Sequence, residues 1–176
     1  MRKFTLGTTV AIVALAGTIA LAQGEGRGQG RQGGGPGGGG GPVMAPAKIA
    51  TLTDHAMLMK SNAQANGALN KSLGSGAFAD ARTAVGTLRT NFTTLRTFWT
   101  EKKNAKGSAE ALKIVNDGLM RLDTLDKSLG AAAPDQMAAQ AAAKEFGGNT
   151  CGACHKTMRD GDAQTGFRFR EGMNPF

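Results

Sequence analysis

Tyrosine is absent from this 176-residue chain, tryptophan occurs once, and cysteine and histidine occur twice each. Each shortage excludes something. A structural zinc site takes about four cysteine or histidine ligands at set spacings, and His55 has no partner at finger spacing. A disulfide between Cys151 and Cys154 would close only a tiny loop. The lysines are scattered, no tyrosine accompanies them and no binding motif appears, which speaks against nucleic acid. No sustained alternation of apolar and polar residues marks a sheet, so a Cys-x-x-Cys redox site in a βαβ setting has no support. No second cluster of catalytic side chains appears, and the chain is not expected to be an enzyme. Beyond the first two dozen residues no run is apolar enough to cross a membrane.

What is there divides into three parts. Arg2 and Lys3 precede an uncharged, mostly apolar run from Phe4 to Ala20 that is interrupted by threonines and glycines. Ala20-Leu21-Ala22 has the small-x-small form of a cleavage site. Residues 1–22 therefore read as a signal peptide, and the mature protein is expected in the periplasm. Residues 24–42 hold 12 glycines in 19 positions. Ordering so much glycine costs backbone entropy that no apolar burial offsets, so residues 23–48 read as a flexible linker. Residues 49–176 are the folded part.

Formal charge over the whole chain is +8. Arg2 and Lys3 carry two of these charges, and Arg27, Arg31 and Glu25 one more net, leaving +5 for the body. A mildly basic surface suits an acidic partner.

The body reads as all-α, with segments at about 51–73, 77–104, 107–129 and 134–159. In the second, Phe78, Ala81, Val85, Leu88, Phe92, Leu95 and Trp99 recur at alternating steps of three and four, one stripe of a helix. Arg82, Arg89 and Arg96 lie off it. Leu112, Val115, Leu119, Leu122 and Leu129 mark the third, widened by Leu125. In the first, Leu52, Ala56, Met59, Ala63 and Leu69 can share a face, and the small residues around Gln64 to Gly67 would leave room beside a bulky ligand. Pro134 suits a first helical position and Asp135 the positive end of the dipole. Phe146-Gly147-Gly148 then leads to the cysteines. Four long helices with short connections predict an antiparallel four-helix bundle.

The chemistry sits in Cys151-Gly152-Ala153-Cys154-His155. Two thiols separated by two residues match the two vinyl groups of one porphyrin, and a histidine directly after the second lies at the iron. The expected cofactor is one covalent haem c, held by Cys151 and Cys154 with His155 as axial ligand. Two propionates would lower the body charge to roughly +3, since carboxylates are ionised at neutral pH.

A single Cys-x-x-Cys-His near the end of the last of four helices resembles the class II cytochromes c, the cytochrome c-prime family. Gly148, three positions before the first cysteine, and Arg159, four after the histidine, match positions often filled so in that family. The residue before Arg159 is commonly aromatic there; here it is Met158. Met59-Lys60 followed by Gly67-Ala68-Leu69 resembles the family's opening helix. The likeness spans roughly residues 50–160.

The resemblance implies that Met59 faces the open side of the haem, either binding iron through its thioether or packing above it. His55, one turn earlier, is a rival expected at the haem edge or in solvent. Met44, Met120, Met137 and Met173 are weaker candidates. Arg159 is expected to pair with a propionate, since guanidinium and carboxylate match bidentately. In the tail, Phe167-Arg168-Phe169-Arg170 alternates like a short extended piece, with its phenylalanines expected inward. The implied function is single-electron transfer between periplasmic redox proteins, with nitric oxide or carbon monoxide binding as the alternative. A homodimer through the first two helices is a property the resemblance adds.

Overall fold

The first helix, α1 (Leu52–Ser75), starts where Thr51 and Asp54 cap it reciprocally. Thr51 Oγ1 accepts from the Asp54 N–H at 3.1 Å, while the Asp54 carboxylate accepts from the Thr51 N–H at 2.8 Å. It stops at Gly76, whose φ of 71° is the left-handed conformation that glycine adopts without a steric penalty. This is a computed structural model describing residues 43–161 and 166–176. The signal peptide read over 1–22, and the linker as far as residue 42, lie outside the described residues.

Three further segments follow: α2 (Phe78–Glu101), α3 (Ser108–Leu129) and α4 (Gln136–Phe146). The last runs on without a break through a π-helical segment (Gly147–Gly152) into α5 (Ala153–Met158). Two short antiparallel strands, β1 (Arg159–Asp160) and β2 (Arg168–Phe169), close the chain. The protein is mostly helical, as expected. None of the described helices is long and apolar enough to cross a membrane. Asp135 caps α4 through its carboxylate, which accepts from the Ala138 N–H at 3.0 Å. Pro134 thus precedes the cap rather than opening the helix.

Helix α2 lies between α1 and α3 along their lengths, and α4 returns against both α3 and α1. The α2 stripe is the spine of the core: Ala81, Val85, Leu88, Phe92, Leu95 and Trp99 are buried, with Phe78 at its half-exposed start. The buried face of α1 is not the expected one. Leu58, Asn62, Ala65, Leu69 and Leu73 point inward, while Leu52, Ala56 and Ala63 are exposed. The stripe was hidden because it passes through polar residues. Asn91 of α2, itself buried, donates to Ser61 Oγ at 3.0 Å and to Asn62 Oδ1 at 2.9 Å. That pairing offsets the desolvation of all three groups. The small residues of α1 border a groove of about 310 Å³ on the α2 side, where Gln64, Ala65 and Ala68 meet Thr83, Ala84 and Thr87; the cysteines do not line it.

Outside the stripe, arginines of α2 reach α3. Arg82 grips both oxygens of Asp126, at 3.0 and 3.4 Å, and Arg89 Nε lies 2.8 Å from Asp123. Residues 43–48, expected as the end of the linker, make contacts of their own: the Val43 N–H donates to Gln64 Oε1 at 2.8 Å, and Lys48 pairs with Glu101 at 3.3 Å.

Candidate functional site

Cys151, Cys154 and His155 stand at positions i, i+3 and i+4 across the junction of the π-helical segment and α5, so they share one side of the chain. Both thiols are free and half-buried, and both pack against the core. The π-helical segment adds a residue to the turn: the Ala153 N–H donates to Gly148 O, five residues back. Such insertions recur at functional sites because they turn a few side chains without breaking the helix.

The surroundings of this turn are built by several helices. Thr150 is fully buried and its Oγ1 has no hydrogen-bond partner among the described residues. Its methyl group lies so close to α3 that a Cβ on Gly118 would meet it at 2.5 Å and the Phe92 ring at 2.9 Å. Gly118 is therefore the notch that lets the cysteine turn approach α3. Among the described residues nothing lies within 4 Å of a Cβ placed on Gly147 or Gly148. Met158 is buried against Gly107, whose φ of 83° only glycine adopts easily. The residue in the family's aromatic position thus packs inward here as a thioether.

Burial dominates the electrostatics. It pushes the Cys151 thiol up, and it drives Cys154 up to about 11, helped by the neighbouring Cys151 and opposed by Arg159. Both sulfurs are therefore neutral thiols near pH 7. Burial also lowers the His155 imidazole, with the Arg159 charge adding to the effect. Arg159 ends α5 and is half-buried, and its guanidinium sits 3.7 Å from the centre of the Phe167 ring.

Met59 is half-buried on α1 and packs against the core. His55, one turn earlier on the same side, is not in solvent. Its ring centre lies 5.0 Å from that of Phe169, 6.2 Å from Phe98 and 6.3 Å from Phe176. Burial lowers its imidazole to about 4, and His155 is near enough for its charge to contribute. Met44, Met120 and Met137 are exposed on the surface, and Met173 is half-buried beside Gly107.

The tail reaches this end of the molecule. Phe169 pairs with Arg159 across the two strands, and Phe176 stacks on Phe98 at 5.2 Å. Phe167, expected inward with Phe169, stays largely exposed beneath the Arg159 guanidinium, because it precedes the paired strand. Thr150, Gly118 and the aromatic cage around His55 were not foreseen. Only the alternation in the tail hinted at the cage, since a buried threonine and a helix-facing glycine carry no sequence signal of their own.

The donor set fits a covalent haem. Two free, protonated thiols and an imidazole occupy one turn, with both thiols packed against the core. Among the described residues no cluster of three or more histidine, cysteine, aspartate or glutamate side chains is arranged to hold a bare metal ion. Compared with protein-family models, with curated proteins and with solved structures, the chain finds no match in any of the three.

Proposed function

We propose that the protein is an exported c-type cytochrome that carries single electrons between periplasmic redox partners. The observation that carries this reading is the turn itself: Cys151, Cys154 and His155 on one side of an uninterrupted helical stretch, with both thiols free and half-buried. In this reading α1, α2, α3 and the α4–α5 stretch form an antiparallel four-helix bundle, supported by the short connections and by α4 packing on both α1 and α3.

When bound, the haem supplies one-electron cycling of its iron between the ferric and ferrous states. The chain does the rest. Cys151 and Cys154 would hold the haem through thioether bonds, each S–H adding across one vinyl group with its hydrogen going to the neighbouring carbon, so that no oxidant would be needed. His155 would offer a ring nitrogen to the iron, and burial, which lowers its imidazole, favours the neutral form that this role needs. Arg159 supplies a cation near the site, suited to a propionate. From α1, Met59 packs at the edge of the core, where the resemblance to class II cytochromes leaves it two roles, ligand or packing beside the haem. The basic body favours acidic partners in electron transfer.

The test is a visible spectrum of the exported protein, oxidised and then reduced, followed by denaturation. One haem band that remains on the unfolded chain, and is lost in the Cys151→Ser, Cys154→Ser double variant, is the expected result. A colourless wild-type protein overturns the reading. A broad high-spin spectrum that shifts on adding carbon monoxide would replace electron transfer by gas binding.

A further inference from the structure

Two methods of ligation are open to a haem on His155, and the two candidate side chains on α1 differ in how ordinary their surroundings are. Met59 packs among apolar neighbours at the edge of the core, which is what a methionine does without any ligand. His55 has no such explanation. Its imidazole is half-buried inside a ring of three phenylalanines, where a polar ring with nothing to bind loses its hydration without return. Among the described residues, the side-chain hydrogen bonds around this turn run from Thr157 to Glu110 and from Arg170 to the Lys156 carbonyl, and none reaches either imidazole.

The placement of the cage is set by the chain. His155 lies four residues before Arg159, Arg159 pairs with Phe169, and the Phe169 ring touches His55 at 5.0 Å between centres. The tail strand thus ties the first turn of α1 to the turn that carries His155. Phe176 completes the cage from the far end of the tail and stacks on Phe98.

We propose that His55 is the second axial ligand of the iron held by His155, and that Phe169 and Phe176 hold its ring for that purpose. The inference rests on the haem reading above. Ligation by two histidines, rather than by histidine and methionine, places the haem at lower potential, because a methionine ligand raises it.

The haem-loaded, full-length protein is compared with its His55→Ala, His55→Phe and Met59→Ala variants by absorption spectroscopy. The phenylalanine variant keeps the cage filled if alanine fails to fold. The expected wild type is low-spin and lacks the weak sulfur-to-iron charge-transfer band of methionine ligation at the red edge of the ferric spectrum. Either His55 variant becomes high-spin, while Met59→Ala keeps the wild-type spectrum. A wild type that shows the sulfur band, or a His55→Phe protein that stays low-spin, overturns the proposal while leaving a haem protein. A wild type that is already high-spin overturns it too. A chain that carries no haem overturns the cytochrome reading itself.

Discussion

Gly118 shows how much a single missing methyl decides. The close approach of Thr150 to α3 exists only because residue 118 has no Cβ, and Thr150 is the residue before Cys151. Gly118→Ala would gain up to about 1 kcal/mol of helix propensity. It would also force a stiff, fully buried threonine and a phenylalanine ring apart, an overpacking that typically costs about 1–3 kcal/mol. The net expectation is a loss of up to about 3 kcal/mol, read as a lower urea midpoint with an unchanged slope. A higher midpoint would mean that the cysteine turn moves off α3 freely. Asn91 makes the complementary point. A polar residue in the spine of α2 looks like an interruption, yet it is buried because Ser61 and Asn62 satisfy it.

Between elements, the α2–α3 contact has an electrostatic edge as well as an apolar one. The Arg82 guanidinium holds the Asp126 carboxyl below its ordinary value, chiefly through their hydrogen bonds. A carboxylate depressed in the folded state contributes stability above its unfolded value of 3.8, and that contribution is lost as pH falls below it. Both side chains are partly exposed, so the contribution is at most about 1 kcal/mol. Arg82→Ala should therefore unfold earlier than wild type near about pH 7, and the gap should narrow as the pH falls below 3.8 and Asp126 takes up its proton. A gap that survives acid would assign the effect to packing of the arginine stem instead. The same scale explains the α4–α5 stretch. Its length was read from the sequence as about 134–159, while the π-helical turn at Gly147–Gly152 had no signal along the chain.

For the molecule as a whole, the tail acts as part of the wall. Phe169 packs at 6.3 Å from the ring of Trp99, the chain's only tryptophan, which is 1% exposed. Deleting residues 167–176 should uncover that ring and shift its fluorescence to the red, with a lower melting temperature. Emission at the wild-type wavelength after deletion would show that the helices bury Trp99 without help, and that the cage around His55 is correspondingly dispensable to the core.

Much of this was legible along the chain. Seven apolar positions at helical spacing marked α2, and the five-residue cysteine–histidine run marked the candidate site, because both signals are local and depend only on residue spacing along the chain. Other features depend on contacts between residues far apart. Which face of α1 is buried follows from Asn91, about thirty positions away, and the cage around His55 is assembled from α2 and the last ten residues. A side chain's burial and its partners are properties of what packs against it, so the stripe through Ser61 and Asn62, the notch at Gly118 and the enclosure of His55 were decided only when the helices and the tail came together.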